Sequence, residues 1–154
     1  MRSLRMGYSL PRRTGIDRPC CDTCDKARMS NQGRALRTVY ALCLMGATVT
    51  HLRVVLAHGL AWDYGGLPIV TCVYWTSLTF LDPLAASLLF LAPRAGIFLT
   101  IAIMVTDVSN NTWIGLRERY SFADWMYLSQ VFFLIFVLTT SRYAWPGRRD
   151  HPQA

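Results

Sequence analysis

Ile69-Val-Thr-Cys-Val-Tyr-Trp-Thr-Ser-Leu-Thr-Phe-Leu-Asp-Pro-Leu-Ala-Ala-Ser-Leu-Leu-Phe-Leu91 is an apolar run with a single charge, Asp82, near its middle. Three residues later Ala95–Leu116 repeats the pattern, again with one charge, Asp107. About 20 helical residues rising 1.5 Å each cross a hydrocarbon core of roughly 30 Å, so each run is long enough to span a membrane. A carboxylate at that depth costs about 3 kcal/mol or more on insertion scales. Such residues therefore face a protein interior and mark candidate sites. The pair of runs predicts an integral membrane protein with a polar inside.

Two further apolar segments flank this pair, from about Leu36 to Ala57 and from Phe122 to Arg142. Their joints are short, which predicts an all-α four-helix bundle running up-down-up-down. Phe132-Phe-Leu-Ile-Phe-Val-Leu138 is apolar all round, whereas the helices of a soluble bundle need polar outer faces. Composition agrees. The 154 residues are 53% hydrophobic and 16% charged, below the roughly 25% charged of ordinary soluble domains. Ser121-Phe-Ala-Asp124 fits a capping box that would open the fourth helix.

The basic residues fix an expected orientation. Nine of the 16 Lys and Arg precede Thr38. Arg94 lies in the second-to-third joint, and Arg142, Arg148 and Arg149 lie at the end. The opposite loops hold Arg117 and Arg119, and Gly59–Pro68 holds none. The positive-inside rule then puts both termini in the cytoplasm. Trp62, Trp113 and Trp125 at one interface, with Tyr143 and Trp145 at the other, fit aromatic belts. The expected location is a bacterial cytoplasmic (inner) membrane. The net charge of +7 has this topological cause. No nucleic-acid partner is expected, because neither a stacking platform nor a recognition helix accompanies the charge.

Residues 1–35 are rich in Arg, Gly, Pro and Ser and are expected to form a disordered basic cytoplasmic tail. The four-span domain is expected over residues 36–145, with a second cytoplasmic tail over 146–154. The tail lacks the apolar stretch of a signal peptide. Met29 stands just ahead of the first apolar segment, and translation is expected to start there, residues 1–28 being an extension. Cys20, Cys21 and Cys24 give a C-x-x-C with no histidine nearby, short of the four ligands of a structural zinc.

Helical spacing gathers the polar residues onto faces. Thr48, His51, Val55 and His58 share one face of the first helix, and Trp75, Thr79 and Asp82 share one of the second. Asp107, Asn110 and Asn111 share one of the third, and the fourth contributes Ser129 and Gln130. Counting depth at 1.5 Å per residue puts His51, Thr76, Ser77, Asp107, Asn110 and Asn111 in one layer, with Asp82 extending it inward. Binding or proton-relay candidates are therefore His51, His58, Ser77, Asp82, Asp107, Asn110 and Asn111. An imidazole beside a carboxylate relays protons near neutral pH. Pro83 removes the donor that the Thr79 carbonyl would otherwise receive.

His51 and His58 stand about 10 Å apart on one helix and cannot ligate one haem iron from opposite faces. No cofactor and no metal is expected, and no catalytic residue is named. Phosphate-binding glycine loops, G-x-S-x-G and H-E-x-x-H are absent. The expected function is binding of a small or lipid-like molecule, or proton movement, within the polar layer. The competing expectation is a non-catalytic accessory subunit that meets a membrane protein partner or a second copy of itself. In that case the polar residues join helices, each hydrogen bond worth about 0.6 kcal/mol.

Overall fold

A computed structural model describes residues 19–118, 122 and 124–146, with side chains described from Asn31 onward. It is all-helical over these residues, with four helices and no strand: α1 Pro19–His58, α2 Ile69–Leu91, α3 Pro93–Glu118 and α4 Trp125–Ala144. Three are long and apolar enough to cross a membrane, by length and composition: Asn31–His58 within α1, then α2 and α3. α4 falls outside that set. Its apolar centre, Phe132–Leu138, is diluted by Ser129-Gln130 on one side and Thr139-Thr140-Ser141-Arg142 on the other.

The bounds of α2 coincide with the apolar run, because prolines bracket it. Pro68 supplies the N-cap, and Ala92, whose N–H donates to Leu88 O at 2.9 Å, supplies the C-cap ahead of Pro93. Pro93 then opens α3 at the position where a missing N–H costs nothing. α1 departs from expectation. It begins at Pro19, well before Leu36, and so takes up residues 19–35 of the expected tail. Proline at the helix start followed by Ala, Arg, Met, Gln and Lys gives the backbone no reason to stop. Residues 1–18 and 147–154 lie outside the described residues. α4 also starts late, at Trp125, with Asp124 as N-cap and no side-chain capping bond. The capping box therefore does not form as read, since Asp124 stands one residue before the helix rather than inside its first turn. Ser121 lies outside the described residues.

Each helix packs on its chain neighbours, and α4 closes on α1. Two of these crossings have no spare room. A methyl group added to Gly96 would clash with the backbone of Leu88 and Leu89, and one on Gly33 would come within 3.1 Å of Tyr143 O. Between α1 and α4 the fully buried Tyr40 sets its ring edge-on to Phe136 at 5.7 Å and shares a 2.6 Å hydrogen bond with Thr140 Oγ1. Between α2 and α3, Tyr74 OH meets Thr106 Oγ1 at 2.9 Å. Between α3 and α4, Thr112 Oγ1 meets Tyr127 OH at 2.9 Å. The core cluster is apolar and includes Tyr40, Leu44, Leu78, Ala85, Leu89, Ile97 and Val137. The outer surface is also apolar: Leu42, Phe80, Phe98 and Phe132 are all exposed. Apolar faces both inside and out suit a lipid surround better than water.

Candidate functional site

A cavity of about 360 Å³ lies among all four helices. α1 contributes Cys43 and His51, α2 Asp82, α3 Asp107, and α4 Ser129 and Gln130. Apart from Thr50, the rest of its wall is apolar, with Leu44, Leu78, Ile103 and Phe133. Both aspartates are buried, Asp82 at 2% exposure and Asp107 at 6%. They reach the cavity because each sits on the inward stripe of its helix, one turn from Leu78 and Ile103 respectively.

The two carboxylates differ in their partners. Asp107 Oδ1 accepts from Asn111 Nδ2 at 3.2 Å, and the same Nδ2 donates to Gln130 Oε1 at 2.8 Å. Asp82 Oδ2 has no hydrogen-bond partner among the described residues, nor has the buried Thr79 Oγ1 one turn away. No Arg or Lys forms an ion pair with either aspartate among the described residues. A buried carboxylate without a cation or full hydrogen bonding is costly, and it invites a proton or a cationic group.

Of the seven candidates read from spacing, His51, Asp82 and Asp107 line this one cavity. Asn111 adjoins it through Asp107 and Gln130. The other three lie elsewhere. His58 is exposed at the end of α1, its ring stacked on Trp62 with centroids 4.1 Å apart. Ser77 is half-buried and donates to Tyr74 O at 2.6 Å within its own helix. Asn110 accepts from Thr71 Oγ1 at 3.2 Å, and its Nδ2 is buried without a partner among the described residues. Cys43 and Met126 line the cavity too, and no polarity signal distinguishes them in the sequence. Among the described residues, no group of three His, Cys, Asp or Glu is placed to hold a metal ion.

The Gly59–Pro68 loop does not lie over the cavity that holds the aspartates. Its residues Trp62, Tyr64, Gly65 and Leu67 wall a second cavity of about 520 Å³, completed by α2, α3, the α3–α4 joint and α4. Gln130 and Met126 line both cavities. Asn111 reaches the second directly, so the Asp107–Asn111–Gln130 hydrogen bonds stand at the partition between them. The loop is anchored by Cys72 Sγ, which donates to Asp63 O at 3.3 Å. It turns through positive φ at Tyr64, Gly65 and Gly66. Comparisons with protein-family models, curated proteins and solved structures found no match.

Proposed function

We propose that the protein is a four-span, up-down-up-down membrane bundle that binds a small or lipid-like molecule, or relays protons, in its central cavity. His51, Asp82 and Asp107 are the groups that act. The carrying observation is the convergence of two buried aspartates and an imidazole on one mostly apolar cavity, with Asp82 Oδ2 left unpartnered among the described residues. Support for the topology comes from register. Rising numbers in α2 meet falling numbers in α3 (Thr71 with Asn110, Tyr74 with Thr106), and α1 meets α4 likewise (Gly33 with Ala144, Tyr40 with Thr140). α4 is taken as the fourth span because its exposed Phe132, Ile135 and Leu138 continue the apolar exterior of the other three. The distribution of Arg supports an orientation with both termini in the cytoplasm, and the proposed location is a bacterial inner membrane.

The accessory-subunit reading has its own support, since the Asp107–Asn111–Gln130 bonds tie α3 to α4 as simple joints would. Asp107→Asn separates the two. It is nearly isosteric and keeps hydrogen bonding while removing the charge. The test compares wild type and variant, purified from native membranes, for co-purifying lipids and small molecules and for proton uptake into dye-loaded proteoliposomes. The ligand or proton reading expects the wild type to carry a bound species or pass protons, and the variant to lose it at unchanged melting temperature. Equal cargo and equal proton uptake in both proteins would favour the accessory subunit.

A further inference from the structure

We propose that the loop-side cavity is a binding site for an alkylammonium group, separate from the central cavity and not dependent on the function assigned to it. Five aromatic rings line it: Trp62 and Tyr64 from the loop, Trp75 from α2, Phe122 from the α3–α4 joint and Tyr127 from α4. Two carboxylates, Glu118 and Asp124, also line it, and among the described residues no Lys or Arg does. Aromatic faces carry negative quadrupole charge and hold cations within about 6 Å of the ring centre, most strongly where water is excluded. Rings with nearby acids favour a cation whose methyl or methylene groups also gain apolar contact. A phosphate or carboxylate ligand would meet repulsion at Asp124.

Among the described residues the neighbouring cation, Arg117, already pairs with one of these acids and leaves Asp124 as the charge that receives a cation. Arg117 Nε lies 3.5 Å from Glu118 Oε1, and its guanidinium sits 5.5 Å from the centre of Trp113, a residue outside the cavity wall. Asp124 has no ion pair among the described residues, which leaves it to face an incoming charge. Tyr64 adds a conformational sign. Its φ of 50° is the left-handed region that bulky residues seldom occupy, and such strain collects at ligand clamps. That backbone sets the Tyr64 ring edge-on to Trp75, with centroids 5.1 Å apart. The Tyr64 hydroxyl is buried without a partner among the described residues. The cavity, at about 520 Å³, has room for a trimethylammonium group together with part of the molecule that bears it.

The same chemistry is offered by a free quaternary amine and by a choline lipid headgroup. The experiment titrates tetramethylammonium chloride into the full chain in maltoside micelles, against sodium chloride of equal ionic strength, and reads tryptophan fluorescence. The expected result is a saturable change beyond the sodium control, with affinity at least about tenfold weaker in Trp75→Leu and several-fold weaker in Asp124→Asn. Trp75→Phe keeps an aromatic face and should retain binding, which covers the case in which Trp75→Leu fails to fold. Asp82→Asn, which lines only the central cavity and bonds to no residue of this one, should bind tetramethylammonium normally, so the outcome is independent of the central site. Repeating the titration in nanodiscs identifies the source. A response suppressed in phosphatidylcholine relative to phosphatidylglycerol supports the site with a lipid headgroup as occupant, and equal responses support it with a free amine. No saturable response beyond sodium, or a response undiminished in both folded Trp75→Leu and Asp124→Asn, would overturn the assignment.

Discussion

The glycine crossings and the two cavities are opposite solutions to packing in one small molecule. At Gly96 and Gly33 the helices approach until backbone meets backbone; a single added carbon has nowhere to go at Gly96 and would press on Tyr143 O at Gly33. Around Asp82 and Asp107, and again under the Gly59–Pro68 loop, the same helices stand apart and enclose space. The difference follows from residue size and polarity. Glycine admits close contact along the α2–α3 hairpin, and van der Waals packing of small residues is a main source of helix association in lipid. Carboxylates and aromatic rings hold their surroundings open. Close backbone contact is therefore gathered at one set of positions, and enclosed polar and aromatic space at the other.

The largest expected effect lies at the closed crossings. Gly96→Ala should destabilise the purified protein by about 3 kcal/mol, the upper end of overpacking costs, because the clash is with backbone that cannot rotate aside. Thermal melting in detergent reads this directly, and a melting temperature equal to wild type would remove the claim that the α2–α3 crossing is closed. An intermediate effect is expected at Tyr40→Phe, which keeps the ring packing on Phe133 and Phe136 and deletes the bond to Thr140. The cost should be about 1 kcal/mol, and a double-mutant cycle with Thr140→Val should show coupling of similar size. Zero coupling would mean that the 2.6 Å contact contributes nothing net. The smallest effect belongs to Gly46, which lines the central cavity and has nothing within 4 Å of an added carbon. Gly46→Ala should change stability by less than about 0.5 kcal/mol. A loss as large as that of Gly96→Ala would erase the contrast between open and closed regions.

Much of this arrangement was legible from spacing and polarity. The α2 bounds were readable because prolines stand at both ends, and Asp82, Asp107 and His51 were readable because a charge or imidazole on a helix stripe has few places to go but inward. The start of α1 was not, because an apolar pattern marks where lipid begins and not where hydrogen bonding begins; helix formation continues through polar residues back to Pro19. His58 shares a helical face with His51 yet stacks on Trp62, since at a helix end the following loop folds back over the last turn. Ser77 satisfies its hydroxyl on its own helix, an option that spacing cannot distinguish from an interhelical bond. The aromatic cavity was hidden for a different reason. Its rings come from parts of the chain with no shared period; Trp62 alone reads as an interfacial anchor, and Trp75 reads as part of the Thr79–Asp82 face.

Tyr40 carries a consequence for the order of events during synthesis. Its hydroxyl partner, Thr140, lies 100 residues further along the chain. At roughly 5–20 residues per second, α1 waits on the order of 5–20 seconds before α4 exists to receive it. For that interval a buried tyrosine and the Gly33 surface stand open to any other helix within reach. The last helix is thus the lock of the first, and a chain that stalls before Thr140 leaves α1 free to pair wrongly.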